Sequence, residues 1–510
     1  MESRPLVVVG AGAAGTAAAI EAAEAGVPVT LVDENPIPAT LAGLNVPQFF
    51  GQRFARDLQD QPRMLERMTA VNEALAKARV AGVDVQLGTC VWGAFRNSDT
   101  SRVLDGPQLG LADRDRSWMI KYDRLIVATG ARDLGLAFGG WNQAGAMGAN
   151  GAHSLLHHYQ ALASRRMVVL GSGNLGLNTA RLALKAGIDV AAVVEVSSSV
   201  RGDATLSAAL QGKGVEVCTS HALKQAVGRD GEIESVVLIE IDGSCEPVAG
   251  TERVFAADTV CLAIGLTPNV ELLSLLRCDL AFDPGLGGYV PVHDDRMRTS
   301  VDDVFVAGDV AGFHDAMALD SEIARNQGRL AGVAAAESLG AIDGAEAAAR
   351  RRDLQASISD LKRNDAYSHW TRWLQALLNA GGSDVRLCPC EDVTRSDVIG
   401  LRPPRFLEWD PEQNRRRSLE TLASDVPVNP DQVKRLTRAG MGHCQGRLCR
   451  EQVALLLADA SGTDIADMPV MSYRPPVRPL PLRVMWPHDE PEQVRNEWAK
   501  WFSPTSPVLG

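Results

Sequence analysis

The chain lacks the features that would point to nucleic acid, to secretion or to a membrane. Lys and Arg number 51 against 63 Asp and Glu, a formal net charge of −12, which argues against nucleic acid or an anionic membrane as the main partner. No uncharged apolar run is long enough to span a bilayer. The N-terminus enters a strand with no basic stretch before it, so no signal peptide is expected. We therefore expect a cytoplasmic protein that is not integral to a membrane.

Length and cysteine usage limit the possible architectures. At 510 residues the chain is too long for a single core, and roughly two to four domains are expected. The nine cysteines are unevenly spread: five are scattered, and four cluster late at Cys388, Cys390, Cys444 and Cys449. In a cytosolic chain such clustering suggests a metal site rather than disulfides.

The first motif is a glycine-rich turn between a strand and a helix. Apolar residues from Leu6 lead into Gly10-Ala-Gly12-Ala-Ala-Gly15, and the strand after the helix ends in Asp33. The first glycine allows the tight turn, the second lets the backbone approach a pyrophosphate, and the third lets the helix pack closely on the strand. The helix N-terminus then faces the phosphates, and Asp33 is placed to bind ribose hydroxyls. The motif predicts a nucleotide-binding βαβ unit.

A second copy of this pattern follows in the middle of the chain. Gly171-Ser-Gly173-Asn174-Leu-Gly176 opens a helix, and the next strand ends in Glu195. Glu195 follows the first glycine of its copy by 24 residues, against 23 in the first copy. A repeat of this kind predicts a second nucleotide fold.

Two further strand ends accompany these motifs. One apolar strand ends in Ala128-Thr129-Gly130, and a later one ends in Gly308-Asp309. The carboxylate of Asp309 can accept hydrogen bonds from ribityl hydroxyls at such a strand end. A helix is predicted from Ala316 to Ala336, and its N-terminus can point at a flavin ring.

The order of these motifs resembles the glutathione-reductase-like flavoproteins over about residues 1 to 340. The resemblance implies an α/β fold with two dinucleotide-binding domains, FAD in the outer domain and a second nucleotide fold inserted within it. The residues that it implies for FAD binding are Gly10, Gly12, Ala13, Ala14, Gly15, Asp33, Glu34, Gln52, Val91, Ala128, Thr129, Gly130, Gly308 and Asp309.

The absence of a redox cysteine pair argues against one branch of that family, the disulfide reductases. Disulfide reductases carry a redox cysteine pair beside the flavin, and no paired cysteines occur before residue 340, which argues against that activity. In the second fold Glu195 favours a free ribose hydroxyl, so NAD or an adenine nucleotide such as ATP is expected rather than NADP. An empty, vestigial second fold is the alternative.

The four late cysteines arrive in two close pairs, a donor set that suits zinc or an iron–sulfur cluster. In a flavoprotein an electron carrier makes more chemical sense than a structural zinc, so [2Fe–2S] is favoured, with zinc and then unligated thiols as alternatives. Asn429-Pro430 predicts a helix start between the pairs. The Cys-x-Cys-Glu-Asp-Val-Thr phrase from Cys388 and the Ala-Gly-Met-Gly-x-Cys-Gln-Gly-Arg-x-Cys phrase ending at Cys449 are similar to a bacterioferritin-associated-ferredoxin-like (BFD-like) domain.

That domain is fused to the flavoprotein subunits of opine (octopine/nopaline) oxidases, hydroxyproline dehydrogenases and hydrogen cyanide synthase. The resemblance to this family implies the alpha-type flavoprotein subunit of a heteromeric dehydrogenase that oxidatively cleaves an opine to an amino acid and a keto acid, or that acts on a related imino acid. It also implies an FAD-containing beta subunit that oxidises the substrate, FMN at an interface, and a small ferredoxin-like gamma subunit. The sequence does not distinguish between the oxidation of an opine, of hydroxyproline and of glycine.

Two further interpretations stay open, a self-contained NADH-dependent FAD/[2Fe–2S] reductase and a scaffold with purely structural nucleotide sites. No catalytic base is assigned, because His153, His157 and His158 are expected on a surface helix. The expected domains are residues 1–150 with 276–340 for FAD, 151–275 for the second nucleotide, 341–385 as a helical linker, 386–470 as an α-rich [2Fe–2S] domain and 471–510 as an extended tail.

Overall fold

The structure is a computed structural model. It describes residues 2–35, 61–70, 72–100, 102–318, 320–356, 367–404, 412, 416–485, 492–493 and 496–497.

The described strands and helices alternate through the first two thirds of the chain, and short helices dominate the last third. The strands are β1 Glu2–Val9, β2 Val29–Asp33, β3 Asp84–Leu87, β4 Cys90–Phe95, β5 Gln108–Ala112, β6 Ser117–Val127, β7 Ala131–Asp133, β8 Ala146–Gly148, β9 Arg166–Leu170, β10 Asp189–Glu195, β11 Glu216–Thr219, β12 His221–Arg229, β13 Glu232–Glu240, β14 Arg253–Ala256, β15 Thr259–Leu262, β16 Leu266–Pro268, β17 Leu280–Asp283, β18 Gly288–Pro291, β19 Val304–Val306, β20 Arg386–Cys388 and β21 Val393–Thr394. The α-helices are α1 Ala13–Glu24, α2 Gln61–Ala70, α3 Glu73–Val80, α4 Ala149–His153, α5 Asn174–Lys185, α6 Ala204–Gln211, α7 Glu271–Leu275, α8 Glu322–Ser338, α9 Gly344–Ala356, α10 Tyr367–Gly381, α11 Arg395–Ile399, α12 Leu419–Asp425, α13 Pro430–Thr437, α14 Arg450–Ser461 and α15 Leu482–Met485.

The first sheet has the strand order β3-β2-β1-β6-β5-β4, with β19 paired to β6. Its centre is parallel: Leu6 of β1 lies opposite Val29 of β2 and opposite Arg124 of β6. Val304 of β19 lies opposite Leu125 of β6, so the chain returns to this sheet after its long excursion. Parallel neighbours require helical crossovers, and α1 supplies the first. The predicted first nucleotide fold is confirmed.

The second sheet has the order β11-β10-β9-β15-β8 and is parallel throughout. It repeats the first arrangement, with α5 as the crossover between β9 and β10. An antiparallel meander, β12-β13-β14, follows β11. The predicted second βαβ unit is therefore confirmed.

Helices α1 and α8 pack on each other through their small residues. A Cβ added to Gly328 of α8 would lie 2.0 Å from the carbonyl oxygen of Ala14, and one added to Gly332 would lie 2.6 Å from that of Ala18. Both alanines are buried. The backbone of α8 thus rests directly on the helix that begins at the first glycine-rich turn.

The segment before α8 differs from the prediction. The expected helix from Ala316 is a short 3₁₀ turn, Asp315–Ala318, and α8 begins only at Glu322. The side chain of Asp320 accepts a hydrogen bond from the N–H of Glu322 at 2.8 Å, which favours a helix start at that point.

Helix α10 joins the second fold to the cysteine-containing region. Trp370 and Trp373 are 4% and 0% exposed and share one hydrophobic core with Val168 of β9 and with Val453 of α14. The apolar face of α10 therefore packs on its own chain. One core consequently serves both the second sheet and the region of the late cysteines.

The described end of the chain lies on the first fold. The N–H of Val477 donates to the carbonyl of Trp92 at 2.8 Å.

The helix predicted between the two cysteine pairs is present. Helix α13 begins at Pro430, with Asn429 as its cap. Among the described residues, none of the helices is both long and apolar enough to cross a membrane.

The contact between α1 and α8 generates a stability prediction. Gly328→Ala should lower the free energy of unfolding by about 1–3 kcal/mol, because the new methyl group meets a backbone oxygen that cannot rotate away. Urea denaturation followed by circular dichroism measures the change. Gly243→Ala is the matched control, since a Cβ there meets nothing within 4 Å. Equal stability of the two variants would contradict this packing argument.

Candidate cofactor site and cysteine cluster

The first glycine-rich turn has the geometry that its sequence predicts. Gly10 has φ +109°, and a Cβ there would lie 2.1 Å from the carbonyl oxygen of Ala128. A Cβ on Gly15 would lie 1.8 Å from the carbonyl oxygen of Gly10. By contrast, a Cβ on Gly12 would meet nothing within 4 Å. Gly10 and Gly15 thus serve close packing, whereas Gly12 borders open space.

Asp33 closes this turn from the neighbouring strand. One of its carboxylate oxygens accepts the N–H of Ala11 at 2.5 Å, and the other accepts the N–H of Asn35 at 2.7 Å. Burial raises the pKa of Asp33, and these two amide bonds oppose that rise. The acid therefore holds the turn in shape while its side chain borders a cavity.

This cavity, of about 920 Å³, opens in front of the turn. Of the residues predicted for the cofactor, Gly10, Gly12, Ala13, Asp33, Glu34, Val91, Ala128, Thr129, Gly130 and Asp309 line it. Ala14, Gly15 and Gly308 are buried and pack around the turn, and Gln52 lies outside the described residues. The structure thus brings the strand ends and the glycine turn to one site.

Sequence reasoning missed several residues that line the same cavity. His153 and His157, which were expected on a surface helix, border it together with Asn178 of the second fold. Burial lowers the pKa of His153, and His157 lowers it further. No local signal in the sequence points these side chains toward the first fold, because α4 and α5 belong to the second.

The cavity also has a wall from the far end of the chain. Arg447, Val477 and Arg478 line it, and Arg478 forms an ion pair with Glu34 at 2.7 Å. Arg447 donates to the carbonyl of Val477. Burial lowers the pKa of Arg447 to about 10, with a further contribution from Arg478. The sequence gives one indication that Arg447 could be functional, which is its position between Cys444 and Cys449.

A buried ionic network connects this wall to the first fold. Arg132, which follows the Ala-Thr-Gly strand end, pairs with Glu271 at 3.2 Å and with Glu451 of α14. Its Nε donates to the carbonyl of Arg447 at 3.2 Å. Burial alone would raise the pKa of Glu271, but Arg132, Arg447 and Arg478 outweigh it and hold that pKa at about 2. Glu271 is therefore ionised at neutral pH.

The four late cysteines come together as two thiol pairs. The thiol of Cys388 lies beside that of Cys449, and the thiol of Cys390 lies beside that of Cys444. All four are free thiols, and all but Cys390 are buried. Across the described residues, no three His, Cys, Asp or Glu side chains gather in the way that a single metal ion requires. Four thiolates are a donor set that suits either a zinc ion or an iron–sulfur cluster.

Backbone amides surround these sulfurs. The N–H of Gly440 lies 3.5 Å from the sulfur of Cys388. The hydrogen bond from Cys390 lowers the pKa of Cys444, and the amides of Leu448 and Gly446 lower it further. Amide donors of this kind stabilise thiolates. The donor set and its surroundings fit a four-thiolate centre.

The second glycine-rich turn repeats the first in its packing. Cβ atoms on Gly171 and Gly176 would lie 2.4 Å from the carbonyl of Ala263 and 2.0 Å from that of Gly171. Glu195 is fully buried and accepts hydrogen bonds from the N–H and hydroxyl of Ser172, at 3.0 and 2.7 Å. Its carboxylate is thus engaged by its own turn. The motif opens a helix as predicted: α5 begins at Asn174, and Gly173 is its cap.

Comparison with known proteins places the chain. Residues 4–340 match the family model of pyridine nucleotide-disulphide oxidoreductases, and residues 425–486 match the sarcosine oxidase A3 domain. The second match covers Cys444 and Cys449 but begins after the first two late cysteines. It is the match found for the region that was predicted to resemble a BFD-like domain.

Relatives of the whole chain agree with the resemblance drawn from the motifs. The chain is 27% identical to the A-type component of opine oxidase from Rhizobium meliloti, covering 94% of this chain and 86% of that protein. It is 28% identical to the HcnB component of hydrogen cyanide synthase from Pseudomonas aeruginosa, covering 94% and 98%. The predicted relationship to these proteins is confirmed.

A solved structure supports the fold over nearly the full length. The crystal structure of L-proline dehydrogenase from P. horikoshii is 18% identical with a TM-score of 0.62, covering 95% of this chain and 80% of that chain. The predicted α/β fold with two nucleotide-binding units is thus shared by a known structure. From the match over residues 4–340, the chain belongs to the pyridine nucleotide-disulphide oxidoreductase family of FAD-dependent oxidoreductases.

Proposed function

We propose that the chain is the FAD-carrying alpha subunit of a multi-subunit dehydrogenase that acts on an opine or a related imino acid. In this role it conveys electrons between its flavin and a [2Fe–2S] cluster, while a partner subunit oxidises the substrate. The corresponding components of hydroxyproline dehydrogenase and hydrogen cyanide synthase are the alternatives within the same family.

One observation carries the proposal. Arg447 lies between Cys444 and Cys449 in the chain, and its side chain lines the cavity that the first glycine-rich turn borders. The wall of the nucleotide cavity and two of the four thiols therefore belong to a single short segment. A redox centre must lie close to the flavin to exchange electrons with it, whereas a structural metal has no such requirement.

The residues around the cavity fit FAD. Gly12 leaves room at the start of α1, where the helix N-terminus favours phosphate. Asp33 and Glu34 provide carboxylates at the ribose end, and Asp309 provides one at the other strand end. FAD, when bound, accepts two electrons and can release them singly. The chain's own contribution is to bind and orient it, with Arg447 and Arg478 covering the Glu34 side.

The residues proposed for the cluster are Cys388, Cys390, Cys444 and Cys449. Four thiolates can hold either zinc or a [2Fe–2S] cluster, and we favour the cluster because an electron carrier is chemically useful beside a flavin whereas a structural zinc is not. A [2Fe–2S] cluster supplies one-electron chemistry. The protein's share is to hold the thiolates and to offer amides, such as that of Gly440, to their sulfurs.

The partners follow from the relatives. The opine oxidase and hydrogen cyanide synthase proteins that this chain resembles are subunits by name, and we propose the same organisation here. It comprises an FAD-containing beta subunit, an FMN at an interface, and a ferredoxin-like gamma subunit. The domain division expected from the sequence belongs to this proposal, with residues 386–470 as the cluster domain.

The cluster can be tested by composition. The full chain, purified apart from its partner subunits, should contain iron and acid-labile sulfide in equal amounts, and Cys444→Ser should lose both while keeping its flavin. Iron and sulfide assays with visible spectroscopy measure the outcome. Cys278→Ser is the matched control, because that buried thiol lies outside the quartet. Zinc in place of iron, or iron retained in Cys444→Ser, would refute the assignment.

The role of Arg447 can be tested by flavin retention. Arg447→Gln should weaken flavin binding about tenfold, because it removes a buried charge from the cavity wall and leaves Glu271 with one cation fewer. Equilibrium dialysis of the deflavinated protein with FAD gives the dissociation constant. Arg435→Gln, an exposed change on α13, should bind FAD like the unchanged protein. An unaltered constant for Arg447→Gln would remove the central support for the proposal.

Asp309 should make the stability of the flavin-free protein depend on pH. Burial raises the pKa of Asp309 to about 6, above the unfolded value near 4. Its contribution to stability is therefore present below about pH 4 and is lost as the pH rises through 6. Asp309→Asn should be more stable than the unchanged chain at pH 8, by at most about 3 kcal/mol, with a smaller gain at pH 5. Urea titrations at both pH values test this; a pH-independent difference would contradict it.

A further inference from the structure

We infer that the second nucleotide fold takes no dinucleotide: its phosphate position is occupied by the chain's own Asp315, and the fold anchors the segment that follows the Gly308-Asp309 strand end. This goes beyond the proposed function and does not depend on the late cysteines.

The carboxylate of Asp315 lies at the N-terminus of α5. The N–H of Asn174 donates to Asp315 Oδ2 at 3.3 Å. A Cβ on Gly173 would lie 3.3 Å from Asp315 Oδ1. Free amides at a helix N-terminus attract an anion. Here the anion is a side chain of the protein, delivered from the first fold.

A second piece of the chain lies on the same turn. The N–H of Gly202 donates to the carbonyl of Ser172 at 2.9 Å, and the N–H of Asp203 donates to the side chain of Asn174 at 2.9 Å. A Cβ on Gly202 would lie only 2.8 Å from the amide nitrogen of Asn174. The backbone of residues 200–203 therefore covers the amides that a diphosphate would need.

Helix α10 covers the remaining edge. His369 lies 3.9 Å from the carboxylate of Glu195, the acid predicted to bind ribose. Trp370 packs on Gly265, the strand end that corresponds to Gly130 of the first fold; a Cβ on Gly265 would lie 2.7 Å from the indole nitrogen. The ribose acid and the strand end are thus both in contact with one helix.

The two glycine-rich turns differ at the second glycine, where the backbone would approach a diphosphate. In the first copy a Cβ on Gly12 would meet nothing within 4 Å, and a cavity opens there. In the second copy the corresponding Gly173 is bordered by Asp315 and covered by the segment around Gly202. Since the fingerprints are otherwise alike, the closure comes from distant parts of the chain and not from the motif.

The closure has a structural consequence for the cofactor cavity. Asp315 begins the short turn that continues to Met317 and Ala318, which line the cavity. The bond from Asn174 to Asp315 therefore fixes this part of the wall to the second fold. The second fold acts as a support for the flavin site, with Asp315 as the positioning residue.

The first experiment tests the absence of a dinucleotide. The full chain, loaded with its own flavin and free of its partner subunits, is mixed anaerobically with NADH and, separately, with NADPH at about 1 mM, the upper end of ordinary Michaelis constants. We expect no bleaching of the flavin and no saturable binding of NAD⁺ by calorimetry. Bleaching by either nucleotide, or saturable NAD⁺ binding, would overturn the inference. These readouts do not require the cluster, so they are independent of the cysteine assignment.

The second experiment tests the anchoring role. Asp315→Asn should release flavin about tenfold faster than the unchanged protein, because a neutral amide replaces a charged acceptor at the helix N-terminus. It should still show no NADH oxidation. Asp189→Asn is the matched control. Asp189 is an exposed carboxylate at the start of β10, at the end of the strand away from Glu195, and its substitution should leave flavin release unchanged. Unaltered flavin release in a folded Asp315→Asn protein would refute the anchor.

Discussion

The buried ion pairs of Arg132 are the interaction on which the arrangement of this chain depends. Arg132 follows the Ala-Thr-Gly strand end of the first fold, Glu271 begins the return from the second fold, and Glu451 lies on the helix after the last cysteine. Removing one partner from a buried pair typically costs about 3–5 kcal/mol. Three separate stretches of sequence are therefore held at one point, and the cavity and the thiol pairs take their relative positions from it.

The local parts of this arrangement could be predicted from the sequence. Gly10, Gly15 and Asp33 act within one βαβ unit, so spacing alone specified their contacts. The distant contributions could not be predicted. Arg132 and Glu451 are 319 residues apart, and no periodicity links such positions. The predicted helix start at Ala316 was wrong for a related reason. The turn that contains Ala316 is held by a contact with the distant helix α5, and α8 begins only at Glu322.

The second fold shows how far a motif can be separated from its use. Its glycines and its acid repeat the first copy at nearly the same spacing, and its turn packs in the same way. What differs is the surroundings, because Asp315, the segment around Gly202 and helix α10 all lie against it. A fingerprint specifies the backbone of a turn, whereas the contents of the space in front of it depend on the rest of the molecule.

The cavity wall also sets an order of events during synthesis. Its lining begins at Val9 and ends at Arg478, so every residue as far as Arg478 must be synthesised before the site has all its sides. The two sheets can form as the chain emerges, since domains generally fold as units and the N-terminal part folds first. A closed site for the cofactor therefore requires the segment that holds Val477 and Arg478 to be made and seated on the first fold.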